Sequence, residues 1–161
     1  MSNIETCLWF DGQAEEAANF YVDTFRACGR PAEMGAVSYY ADGMPLPKGT
    51  VLTASFNLDG QAFFALNAGP QFTFNMAISL VVKCADQGEV DRFWDALSAG
   101  GKEIQCGWLT DRYGLAWQIV PTAIMEMTAR GDAKRTGAMF KALGGMIKLD
   151  AAALKAAYDA G

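Results

Sequence analysis

"VLTASFNLDGQAFFALNAGP", residues 51–70, decides the fold class. Two alternating apolar runs flank Asp59-Gly60. That dipeptide suits a two-residue type I′ turn, whose two central positions both need positive φ. A turn of this length sets Leu58 opposite Gln61, Phe56 opposite Phe63, Ala54 opposite Ala65 and Leu52 opposite Asn67, all on one face. Asn67 then stands as an amide on a mostly apolar face.

Upstream, "TCLWF" (6–10) reads as a short strand broken by Asp11-Gly12. "QAEEAANFYVDTF" follows with Ala14, Ala17, Tyr21 and Phe25 at helical spacing, and Glu15 and Glu16 lie in the first turn, where the helix dipole favours them. A further strand is expected near Met34–Tyr40, then a loop holding Gly43, Pro45, Pro47 and Gly49. Downstream the same order of elements returns. "AISLVVKC" (77–84) reads as strand. "ADQGEVDRFWDALSAGG" reads as a helix with Asp86 and Glu89 at capping-box spacing, stopped by Gly100-Gly101. "KEIQCGWL" reads as strand, "TDRYG" as turn and "LAWQIVP" as strand. Each half is therefore strand, helix, then several strands. The last 40 residues are rich in Ala and Met and read as a helical tail, with Asp132 and Asp150 as N-caps.

Composition narrows the function. The chain has 161 residues, 52% of them hydrophobic, with 10 Phe, 5 Tyr and 4 Trp. One domain with a substantial core is expected. Net charge is −5 and the 13 Lys and Arg are scattered, which argues against nucleic acid as a partner. No apolar run reaches the ~20 residues of a membrane span. The first ten residues lack the basic and small-residue pattern of a signal peptide, and Cys7, Cys28, Cys84 and Cys106 form no CxxC, so a cytoplasmic protein with reduced thiols is expected. There is no histidine. That removes the commonest general base near neutral pH and the commonest zinc ligand.

"CLWFDGQAEEAANFY", "GPQFTFNMAISLVV", "CGWLTDRYGLAWQIVP" and the closing "KLDAAALKAAY" together resemble the PhnB-like family, many of whose members bear the name 3-demethylubiquinone-9 3-methyltransferase. This family lies within the glyoxalase, or vicinal oxygen chelate, superfamily. The resemblance implies an α+β fold of paired βαβββ modules, the glyoxalase/bleomycin resistance/dioxygenase-like fold, followed by the helical tail. It divides a single domain into 1–70, 71–121 and 122–161, and it implies a homodimer.

The superfamily's usual divalent metal is held by His, Glu or Gln side chains from four strands. By resemblance those positions fall near Thr6, Asn67, Ala77 and Gln118. Such a set carries no charge to balance a dication, so no metal and no cofactor are expected. Gln71 and Met76 also stand where the resemblance implies His and Glu. Nor is there the Gly-rich loop after a first strand that a class I methyltransferase uses; "LGGM" (143–146) lies in the tail.

The expected function is binding, or metal-free conversion, of a small molecule in a cavity between the modules. The alternatives are a metal-dependent lyase, isomerase or dioxygenase, a methyltransferase as the family name says, or a non-enzymatic interaction module. The expected ligand-binding residues are Gln118, Asn67, Trp9, Phe72, Phe74, Cys106 and Trp108. Gln118 leads them. In "LAWQIVP" the bulky Leu115, Trp117 and Ile119 suit a helix-covered face, which leaves Ala116, Gln118 and Val120 on the other.

Overall fold

Three of the four strands of the first unit, β1 (Thr6–Phe10), β3 (Val51–Leu58) and β4 (Gln61–Asn67), alternate between a face that a helix covers and a more exposed face, whereas β2 (Ala32–Tyr39) is irregular and has no buried residue. The computed structural model describes residues 3–161, in two compact units that meet in the chain at Phe74/Asn75. The four strands of the first unit form a sheet ordered β1-β4-β3-β2. β1 runs parallel to β4; the other pairs are antiparallel. The hairpin has the expected register, Leu58 to Gln61, Phe56 to Phe63 and Ala54 to Ala65. Its turn residues have φ of 51° at Asp59 and 85° at Gly60, the positive pair of a type I′ turn. Helix α1 (Ala14–Ala27) buries Ala14, Ala17, Ala18, Tyr21, Val22 and Phe25. The sheet buries Leu8, Phe10, Ala54, Phe56, Leu58, Phe63 and Ala65.

The second unit repeats the order. β5 (Leu80–Cys84), β6 (Lys102–Glu103), β7 (Trp108–Thr110) and β8 (Ala116–Pro121) form a sheet ordered β5-β8-β7-β6, with β5 parallel to β8. Helix α2 (Gln87–Ser98) buries Val90, Phe93, Trp94 and Leu97. Its capping box forms almost as expected: Asp86 accepts from Glu89 N at 2.8 Å, and Glu89 Oε2 accepts from Ala85 N at 2.7 Å. Asp111 is buried and shapes the next turn. Its carboxylate accepts from Tyr113 N, Leu115 N and Trp117 Nε1.

Two strand boundaries differ from expectation. β5 begins at Leu80 rather than Ala77, because Asn75 Oδ1 accepts from Ala77 N and folds that stretch into a turn. "KEIQCGWL" is two short strands rather than one. Cys106 and Gly107, with φ of 65° and 79°, break the run, and a turn bond joins Trp108 N to Gln105 O.

The tail is helical: α3 (Thr122–Ala129), α4 (Ala133–Leu143) and α5 (Ala151–Ala160). Asp132 and Asp150 cap α4 and α5 through Arg135 N and Ala153 N. Ile124, Met127, Met139, Leu149, Leu154 and Tyr158 form its core, with Val120 of β8 packed against it. The segment before α5 is bonded to the sheet, Cys106 N to Met146 O and Gly107 N to Ile147 O. Gln87 also clamps it, donating to Leu149 O and accepting from Ala151 N.

Candidate functional site

The parallel strand pairs put the two modules on a common frame. Thr6 faces Phe63 and Phe10 faces Asn67 in one; Leu80 faces Trp117 and Cys84 faces Pro121 in the other. On that frame Gln118 corresponds to Phe64, and Asn67 corresponds to Pro121. The open face of the first sheet carries Cys7, Trp9, Phe64, Leu66, Thr53 and Ser55, all exposed or half-buried. The more exposed face of the second carries Val81, Trp108 and Gln118, while Val120, in the same phase, packs against the core of the tail.

Gln118 is half-buried between its cross-strand neighbours Trp108 and Val81. Trp117, Ile119 and Pro121 are buried on the other side of the strand, so the expected alternation holds from Trp117 onward. Ala116 departs from it, being buried although it falls in the Gln118 set. The Gln118 amide bonds the Ser79 hydroxyl at 2.9 Å. Its carbonyl oxygen has no partner among the described residues, and it is not sealed from solvent. Sequence reading did not reach Ser79. Its one signal is its place two residues before Val81, in phase with the strand. Trp108, directly opposite Gln118, is half-buried too. Cys106 is half-buried at the break, where its backbone meets the tail.

The first unit brings Trp9 and Phe72 together, ring edge to ring face at 4.9 Å. Trp9 Nε1 donates to Gly69 O at 2.8 Å. Phe74 packs instead on Phe10, at 5.3 Å. Asn67 is on the face beneath α1 and only 2% exposed. Its Oδ1 accepts from Ala14 N at 2.9 Å and its Nδ2 donates to Val51 O at 3.1 Å. The amide thus does for α1 what a capping side chain would do. Gln13, in the N-cap position, makes no side-chain cap bond.

The donor chemistry of these faces does not fit a divalent metal. Ala77 has no donor atom, and Thr6 and Asn67 share the face beneath α1. Among the described residues no three His, Cys, Asp or Glu side chains converge. Burial pushes the Cys7 thiol above its ordinary pKa, which weakens it as thiolate ligand or nucleophile.

The family model for 3-demethylubiquinone-9 3-methyltransferase matches residues 2–120. The chain belongs to that family. The match stops at Val120, so the tail, with the closing segment that carries part of the resemblance, lies outside it. Among solved structures, a PhnB protein from Bacillus cereus is 35% identical, over 74% of this chain and 99% of its own, with a TM-score of 0.66. A protein from Pseudomonas aeruginosa is 21% identical, over 75% and 98%, at 0.62. The fosfomycin resistance protein FosX from Listeria monocytogenes is 14% identical, over 78% and 94%, at 0.56. FosX has also been solved with Mn(II). No curated protein matches. The 3-demethylubiquinone-9 3-methyltransferase family member described here therefore has the glyoxalase fold.

Proposed function

We propose that this protein binds, or converts without a metal, a small uncharged or weakly polar molecule on the open face of its second sheet. Gln118 is the hydrogen-bonding anchor and Trp108 the apolar wall. The observation that carries the reading is the Gln118 amide. It bonds only a side-chain hydroxyl, and its carbonyl oxygen is left open to an incoming donor. A strand glutamine kept for stability would satisfy buried backbone groups.

The test is native mass spectrometry of the protein as purified, beside Gln118→Leu. A small molecule should co-purify with the wild type, and the variant should hold it about tenfold more weakly, the value of one hydrogen bond. The same preparation should carry no stoichiometric zinc, manganese, nickel or iron. One equivalent of metal, or unchanged retention of the small molecule by the variant, overturns the reading.

The chain is further proposed to work as a homodimer in the cytoplasm. Met76 and Ile78, exposed just before the edge strand β5, support self-association, with 73% of Ile78 open. Four free cysteines support a reducing compartment. No helix among the described residues is long and apolar enough to cross a membrane. Light scattering should give about twice 17.3 kDa; a monomer at micromolar concentration rules the dimer out.

A further inference from the structure

The tail holds a pocket of about 180 Å³, lined by Ala123, Glu126, Met127 and Arg130 of the α3 segment and by Lys155, Tyr158 and Asp159 of α5. It lies wholly outside the residues that the family model matches. Three of its polar groups make no direct hydrogen bond or ion pair among the described residues. Tyr158 is 98% buried (2% exposed), yet its hydroxyl has no hydrogen-bond partner among the described residues. The hydroxyl is not among the atoms sealed from solvent, so the little exposure Tyr158 retains includes it. The hydroxyl therefore opens toward the pocket with no protein group among the described residues bonded to it, where a ligand could replace water as its partner.

The second group is Arg130. Its guanidinium stands over the Tyr158 ring, 6.0 Å from the ring centre, and after Lys155 it helps through space to hold the Asp159 carboxyl below the usual carboxylate range, but it makes no ion pair. The third is Glu126, which also makes none. Glu126 and Arg130 are four residues apart, the spacing and order that favour a direct pair on a helix. They remain apart at the rim of the same pocket. Lys155 and Asp159, by contrast, neutralise each other directly. The floor is apolar, from Ala123, Met127 and the Tyr158 ring.

We propose that this pocket binds a small zwitterion, an α-amino acid with an apolar side chain. Its carboxylate meets Arg130 and the Tyr158 hydroxyl, its ammonium meets Glu126, and its side chain lies on Met127 and Ala123. A simple anion would leave Glu126 uncompensated and would add a second negative charge beside it. A simple cation would do the same to Arg130. Only a ligand with both charges answers both groups.

Calorimetric titration of the full chain tests this with three probes: L-leucine, 4-methylpentanoate (its acid half) and 3-methylbutylamine (its amine half). Leucine should bind saturably below about 10 mM, and each half at least about tenfold more weakly. Arg130→Gln and Glu126→Gln should each weaken leucine about tenfold, and both side chains are exposed, so the variants should fold. Tyr158→Phe should weaken leucine severalfold without lowering the melting temperature, because the lost hydroxyl had no partner to strand. Gln118→Leu should bind leucine as the wild type does, which separates this pocket from the proposed sheet site. The inference is overturned by no saturable leucine binding, by a half-molecule that binds as tightly, by charge variants that bind like wild type, or by loss of binding in Gln118→Leu.

Discussion

The two modules share an order of elements and start their helices in opposite ways. In the second, α2 is capped by its own neighbour, Asp86, with Glu89 reaching back to Ala85. In the first, the cap comes from the end of β4, 53 residues on in the chain, where Asn67 receives Ala14 N. The sheets differ as well. β3 and β4 pair continuously from Thr53–Leu66 to Leu58–Gln61. β6 and β7 are clipped, and Met146 and Ile147 of the tail take the amides that the break leaves over. The topology therefore does not dictate which residues hold it. A helix terminus or a strand edge must be satisfied by something, and each module finds its own donor or acceptor.

Asn67→Leu breaks this comparison most severely. It strands Ala14 N–H and Val51 C=O, and each buried polar group without a partner costs about 1–3 kcal/mol. The expected loss is about 3 kcal/mol, read by urea or thermal unfolding. A loss under about 1 kcal/mol would mean that Asn67 caps no more strongly than an ordinary local cap.

Gly107→Ala comes next. On the common frame Gly107 stands where the first module has Ala54, buried in a regular strand. Gly107 has φ of 79°, and an added Cβ would lie 2.8 Å from Leu149 Cγ and 3.0 Å from Ile119 O. Strain at positive φ and a clash with the tail together should cost about 2 kcal/mol. Gly60→Ala in the hairpin turn is the control. It shares the positive φ but meets nothing within 4 Å, so it should cost about half as much. Equal costs would mean that the tail gives way freely at Gly107.

Asp86→Ala sharpens the contrast between the caps. Only Glu89 N loses its acceptor, at a helix end that water reaches, and the usual cost is about 1 kcal/mol. A loss as large as that of Asn67→Leu would erase the distinction between a local cap and a long-range one.

These positions also show where the sequence was legible. Asp59-Gly60 could be read because a two-residue turn admits few residues, and it fixed the register on both sides. Asp86 and Glu89 could be read because a local cap is a local pattern. Asn67 could be seen as an amide in an apolar setting, but not what it bonds, because its helix partner, Ala14, comes from the far end of the module. The usable signal was a pair of facts, a buried amide in one place and a helix without a capping residue at Gln13 in another. The break at Cys106 was not legible at all, because a non-glycine residue at positive φ leaves no mark in the sequence. At the candidate site Gln118 was reached by strand alternation, whereas Ser79 lies just before the strand and only its phase with Val81 marks it.

The smallest effect tests how firmly the tail is tied to the second module, a tie that the first module has nothing to match. Lys148 Nζ lies 3.0 Å from Asp91 Oδ1 and 3.7 Å from Asp95 Oδ1, joining the tail to α2. The Lys148 ammonium, and then the Gln87 amide, hold the Asp91 carboxyl below the usual carboxylate range. The hydrogen bond to Asp91 raises Lys148 above the usual lysine range, against the opposing effect of its own burial. A carboxyl whose pKa is lowered by folding adds stability that is present above its unfolded pKa and lost as pH falls through the folded one. A lysine whose pKa is raised adds stability that is present below its unfolded pKa and lost as pH rises through the folded one. The pair should therefore contribute steadily near neutrality, fading below about pH 4 and above about pH 10. Because the pair is exposed, its contribution near pH 7 should stay under about 1 kcal/mol and shrink in molar salt. The measurement is the stability difference between wild type and Lys148→Gln from pH 3 to pH 11. A plateau that falls away at both ends is expected. A difference that persists undiminished at pH 3 would mean that Lys148 holds the tail by packing rather than by charge.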